Sequence, residues 1–219
     1  MKKILNTKAL AVTPLRQDVL TIAEAGLEAI DTIAAVRSRV ELNGDEFCVK
    51  GANICSVADT QRIFVIGIGK CAAEAASALE EVLGDKLAGG LVFDVSAPKR
   101  APPKKLECFV GTHPMPSDEN VVIARKVRDL LKDLTENDLA LFVISGGGAT
   151  LLCLPEEGAR CVEEKMILEA LFRAGAPIRE VNTIRKHLSL ARGGHLAQYA
   201  YPAQVISLIF SDVPGNDIS

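Results

Sequence analysis

Residues 139–144 read Leu-Ala-Leu-Phe-Val-Ile, and Ser145-Gly146-Gly147-Gly148 follows them directly. Six apolar residues without alternation fit a strand buried on both faces of a parallel sheet. Three glycines at its carboxyl end leave the backbone bare, so several N–H donors can meet one ligand oxygen. In open α/β sheets, ligands bind just outside the carboxyl ends of the strands. The stretch therefore points to an anion, above all a phosphate, with a simple tight turn as the alternative reading.

The rest of the chain supplies the sheet. From Arg62 onward, short apolar runs alternate with segments of helical spacing. Strands are expected at 63–66, 90–94, 106–110, 139–144 and 205–210. Helices are expected at 71–83, at 117–131 behind a Ser117 cap, at 162–172 and at 178–190. Such alternation gives an α/β fold: a Rossmann-like, doubly wound, mostly parallel sheet with helices on both faces. Ahead of it, Thr13-Pro14 starts a helix well. Leu15, Val19, Ile22, Ala23, Gly26, Leu27 and Ile30 then repeat at helical spacing, and the helix is expected to persist or resume to about Arg39. Asn43-Gly44 signals a hairpin between 40–42 and 47–50. The 219 residues thus form one domain, 1–60 as helical lead-in and hairpin and 61–219 as sheet core. Ser219 follows the last expected strand by nine residues, which gives the chain the look of a truncated one.

Composition narrows the function classes. With 48% hydrophobic and 24% charged residues, the chain has the make-up of a soluble protein with a sizeable core. A net charge of −3, without a basic run or an aromatic platform, argues against nucleic acid as a partner. There is no run of roughly 20 apolar residues to span a membrane, and the Met1-Lys2-Lys3 start lacks a signal-peptide core. A cytoplasmic protein is expected. The six cysteines form no Cys-x-x-Cys pair, so neither a zinc cluster nor a redox motif is indicated.

Several loops at the expected strand ends carry candidate chemistry. Gly67-Ile68-Gly69-Lys70 follows a strand and opens a helix, where amides and dipole can receive an anion. With Ala72 the spacing is G-x-G-x-x-A, and Asp94 ends the next strand, close to a dinucleotide fingerprint whose acid bonds a ribose. Lys70 departs from it. A lysine at a helix amino terminus opposes the dipole, which favours a role in neutralising phosphate or carboxylate charge. His113, in Gly111-Thr112-His113-Pro114-Met115-Pro116, is a loop histidine able to donate a hydrogen bond or exchange a proton. Asn182, Lys186 and Ser189 share one polar helix face with Arg185 beside it, and Arg192-Gly193-Gly194 can present further amides. Asp212, in Ser211-Asp212-Val213-Pro214-Gly215-Asn216-Asp217, is placed to orient a reacting group or hold magnesium.

In this order, these segments resemble the type 2 glycerate kinase family, also called the glycerate 2-kinase or MOFRL family. The resemblance runs from about Leu15 to the last residue. It rests on Gly67-Ile68-Gly69-Lys70, Thr112-His113-Pro114, Ser145-Gly146-Gly147-Gly148 with Leu151-Leu152, Asn182 to Ser189, Gly193-Gly194 and Ser211-Asp212-Val213-Pro214-Gly215. It implies ATP- and Mg2+-dependent phosphorylation of D-glycerate at its 2-hydroxyl. The implied fold is a Rossmann-like amino-terminal domain with a smaller carboxyl-terminal domain closing the site, the latter absent from this chain. By motif, Lys70 and Asp212 would be catalytic, Asp212 also the metal ligand. Gly67, Gly69, Ser145, Gly146, Gly147 and Gly148 would hold phosphate or nucleotide, and His113, Asn182, Arg185 and Lys186 the substrate. Apolar surface left bare by the absent domain would favour a homodimer.

Two other readings stand beside this one. The G-x-G-x-x-A spacing with Asp94 suits a nicotinamide-dependent hydroxypyruvate reductase. An isolated chain could also serve as a non-catalytic nucleotide- or anion-binding domain.

Overall fold

A computed structural model describes residues 3–60, 62–98 and 102–211. The alternation read from Arg62 onward folds as one five-stranded sheet. Its strands are β4 (Arg62–Ile68), β5 (Leu87–Asp94), β6 (Glu107–Val110), β7 (Asp138–Ser145) and β8 (Gln204–Phe210), after a separate antiparallel sheet of β1 (Val40–Asn43), β2 (Glu46–Val49) and β3 (Ala52–Ser56). The order is β6-β5-β4-β7-β8, and every neighbouring pair is parallel. The strand order reverses between β4 and β7, so their carboxyl ends open the crevice in which doubly wound sheets bind ligands.

Alternation along the central strands explains the two-faced core. Ile66 and Ile68 of β4 join Ala140 and Phe142 of β7 on one face, under α5 (Asp118–Lys132), α6 (Gly148–Leu151) and α9 (His195–Ala200). Ile63 and Val65 join Leu139, Leu141 and Val143 on the other, under α3 (Thr32–Arg37) and α4 (Ala72–Leu83). Burial on both faces is why residues 139–144 show no polar alternation. α7 (Cys161–Arg173) and α8 (Ile178–His187) complete the second half, α8 bringing Arg185 onto α6.

The lead-in differs from the expectation of a helix running to Arg39. α1 (Thr7–Leu10) precedes α2 (Pro14–Glu28), and α3 begins afresh at Thr32 because the Asp31 side chain accepts the Ala34 amide as an N-cap. The Thr13 hydroxyl caps α2 as expected, accepting from Arg16 N. No residue of α2 is buried: Leu15, Val19 and Ile22 all face solvent. The polar helix expected at 178–190 ends at His187. Among the described residues, no helix is long and apolar enough to cross a membrane.

Candidate active site

The two glycine loops meet at the β4–β7 crevice, and they do different work. Gly69, at φ +119°, lies so close to Ser145 that a Cβ would stand 2.4 Å from its Oγ. The amides of this first turn are all engaged. Gly69 N donates to Phe93 O, Lys70 N to Gly146 O, Cys71 N to Ser145 Oγ, Ala72 N to Gly69 O and Ala73 N to Asp94 Oδ2. The expectation that Gly67 and Gly69 offer amides to phosphate is corrected accordingly. Gly67 allows Ala72 to approach, Gly69 allows Ser145 to approach, and the turn presents its lysine outward.

Asp94 is likewise spent on structure. It is buried and accepts from Ala73 N at 3.1 Å, Val95 N at 2.6 Å and Ser96 N at 3.2 Å, tying β5 to the start of α4. A carboxylate that is buried and already accepts from three amides is poorly placed to bond a ribose, which weakens the dinucleotide fingerprint.

The second loop is open. Among the described residues, the amides of Gly147, Gly148 and Ala149 donate to no backbone or side-chain acceptor. They stand at the start of α6, where orphan N–H groups point outward. Gly147 has φ +92°, and a Cβ there would lie 3.3 Å from both Lys70 Cε and His113 Cδ2. Glycine at this position therefore lets Lys70 and His113, from the loops that follow β4 and β6, close on the bare backbone. Burial holds His113 below the usual imidazole range, and the charges of Lys70 and Arg185 push the same way. Ser145 is the loop's structural anchor: its hydroxyl takes the Cys71 amide at 3.3 Å and lies 3.5 Å from Ile68 O.

Beside the loop lies a cavity of about 520 Å³, within the size range of small-molecule sites. Phe142, Ile144, Val205 and Ile209 give it an apolar floor, while Ser145, Gly146, Gly147 and Gly148 form one wall and Asn182, Arg185 and Lys186 of α8 another. Lys70 and His113 are not in that lining and reach the loop at Gly147 instead. Arg185 donates through Nη2 to Thr150 Oγ1 at 2.6 Å. Burial lowers its pKa, and Arg192 adds to that shift. Arg192, also in the lining, is buried and pairs with buried Glu164 at 2.8 Å. Two guanidiniums against one carboxylate leave an excess of positive charge under the loop, suited to an anion. Ser189 does not belong to the polar face read from its spacing. Its buried hydroxyl donates to Leu152 O at 2.6 Å and accepts from Leu154 N at 2.9 Å.

The charged side chains in the described lining are all cationic: Arg185, Lys186 and Arg192. Among the described residues no carboxylate lines the cavity and no cluster of three His, Cys, Asp or Glu could hold a metal ion. Asp212, the candidate for magnesium and for catalysis, lies outside the described residues. Glu164, Thr150 and the Arg192 side chain are not among the candidates read from sequence, where Arg192 enters only through its backbone amide. Glu164 lies on α7, and no local spacing links it to an arginine 28 positions on.

Comparison with known proteins agrees with this fold. Residues 18–219 match the family model described as "Domain of unknown function (DUF4147)". The glycerate 2-kinase of Picrophilus torridus is 34% identical over 214 residues, covering 98% of this chain and 49% of that protein. An Agrobacterium vitis protein that carries a provisional hydroxypyruvate reductase name is 40% identical over 158 residues, 72% of this chain and 41% of its own length. The crystal structure of a Thermotoga maritima glycerate kinase superposes with a TM-score of 0.74 at 33% identity, covering 92% of this chain and 45% of that one. The chain therefore spans less than half the length of each of these proteins. It belongs to the glycerate 2-kinase amino-terminal domain family, the one described as DUF4147.

Proposed function

We propose that this chain supplies the phosphate-binding wall of a glycerate 2-kinase, which transfers the γ-phosphoryl group of ATP to the 2-hydroxyl of D-glycerate. The observation that carries the reading is the convergence of Lys70 and His113 on Gly147, next to amides without acceptors. Phosphoryl transfer depends mainly on positioning and on neutralising the charge of the transferred group. Here the Gly147, Gly148 and Ala149 amides would hold phosphate oxygens. Lys70 and Arg185 would offset their charge, and Asn182 and Lys186 would orient glycerate along α8. Magnesium, when bound with the nucleotide, would offset further phosphate charge; no described side chain serves as its ligand. The resemblance gives Asp212 the task of orienting the attacking hydroxyl.

The nicotinamide reading has one observation on its side, the name of the Agrobacterium vitis relative. The occupied Asp94 carboxylate counts against it. ADP release with D-glycerate tests the kinase reading. Lys70→Ala should lower turnover by about 10²-fold or more. Turnover equal in Lys70→Ala and wild type would contradict the assignment.

A further inference from the structure

Thr150 is buried in α6, yet its hydroxyl joins two parts of the site. Its Oγ1 accepts from Arg185 Nη2 at 2.6 Å and donates to Pro114 O at 3.4 Å, in the loop that carries His113. Its own carbonyl accepts from Asn120 Nδ2 at 3.2 Å. Asn120 is fully buried on α5 and clasps the same loop, accepting from Thr112 N at 2.8 Å and donating to Thr112 O at 3.0 Å. Side chains from α5 and α6 therefore fix the His113 loop and Arg185 to one point beside Gly147.

We propose that Thr150 is a positioning residue, whose hydroxyl holds Arg185 and the His113 loop in register around the glycine loop so that the site grips an anion. The proposal deepens the kinase reading and rests on it only for the identity of the anion. The physical argument is the geometry of a guanidinium. An arginine has several rotatable bonds, and a charged hydrogen bond to a buried, immobile acceptor selects one placement of it. Without that acceptor, Arg185 would keep its burial and lose its orientation. Valine in place of threonine preserves volume and branching while deleting the acceptor.

The test uses the whole chain and inorganic phosphate, with three proteins: wild type, Thr150→Val and Thr150→Ser. Two quantities are read: the midpoint of the His113 ring titration by NMR, and phosphate affinity from the shift of that resonance. In wild type the midpoint should lie below the usual histidine value, because burial disfavours the imidazolium and the charges of Lys70 and Arg185 push the same way. In Thr150→Val it should move upward as Arg185 is released, and phosphate affinity should fall on the order of tenfold. Thr150→Ser should retain both wild-type values, a rescue that a purely space-filling role for Thr150 would not give. The proposal is overturned if Thr150→Val titrates and binds like wild type, if Thr150→Ser behaves like Thr150→Val, or if phosphate leaves the wild-type resonance unmoved. Should Thr150→Val lose its dispersed spectrum, Thr150→Ala, which also deletes the acceptor, is read in its place: the same upward midpoint and weaker phosphate binding are expected, and wild-type values overturn the proposal. Because no arm uses ATP or D-glycerate, a failure of phosphorylation contradicts the proposed function alone.

Discussion

Gly147 concentrates the chemistry into one backbone position. At φ +92° an L side chain is strained, and its Cβ would also press on Lys70 and His113 at 3.3 Å. Gly147→Ala is expected to cost about 1–2 kcal/mol in folding from the backbone alone, and to weaken phosphate binding by pushing the two basic groups away. Denaturant unfolding and phosphate titration of the same variant check both halves. His113 makes a second prediction. Its folded pKa lies below the usual value because burial and two cations disfavour the imidazolium. The neutral ring therefore prevails at neutral pH, and a bound phosphate, by adding negative charge, should draw the pKa upward. Affinity for sulfate, which unlike phosphate keeps its full charge in this range, should then rise as pH falls through the His113 midpoint. Affinity that is flat with pH, or that falls, would separate His113 from the anion site.

Among the elements, β4 and β7 are joined at both ends. At the carboxyl ends, Ser145 braces the Gly69 turn. At the amino ends, Arg62 pairs with Asp138 through two bonds of 2.8 and 2.7 Å, and Thr135 N and Oγ1 donate to the same carboxylate. These bonds, led by that from Arg62, lower the Asp138 pKa to about 2. A depressed carboxylate pKa gives stability that is complete above the unfolded value and is lost as pH falls through the folded one. Asp138→Asn should thus be less stable than wild type at pH 7, the difference shrinking between about pH 4 and pH 2. Acid titration of the unfolding midpoint measures it. Asp94 ties β5 to the start of α4, and Asp94→Ala should cost about 1–2 kcal/mol by leaving the Ala73 amide without its acceptor.

The strands were legible because burial on two faces leaves a continuous apolar run. β3 was not, since Ala52–Ser56 is mostly exposed and shows no alternation. α6 is only four residues long and hidden in the glycine stretch. The break between α2 and α3 did have a signal, in Asp31 three residues before Ala34, but apolar spacing carried across it.

Over the whole molecule, candidates read from separate loops converge. Lys70, His113 and Arg185 come from three segments, and the sheet brings them to the Ser145–Gly148 stretch; Asn182 and Lys186 follow on α8. Spacing could nominate each residue, because strand ends and glycine turns leave local signals. It could not tell that the Gly67 turn is closed and the Gly147 turn open. That difference lies in contacts between residues about 75 positions apart. The same limit hid Thr150, Asn120, Glu164 and the Arg192 side chain.

Stability should also divide along these lines. Leu141 is fully buried between the two layers, and Leu141→Ala should cost about 2–5 kcal/mol. Ile22 faces solvent at 73% exposure, and Ile22→Ser should stay within about 0.5 kcal/mol of wild type in the isolated chain. Thermal or denaturant unfolding compares the two.

The proposed function makes the Gly147 loop, with Lys70, a phosphate site of a kinase rather than part of a dinucleotide site. Calorimetric titration of the chain with ATP–magnesium and, separately, with NADH tests this most directly. Binding of ATP that is lost in Lys70→Ala, with no binding of NADH, is the predicted result. NADH binding without ATP binding would contradict it.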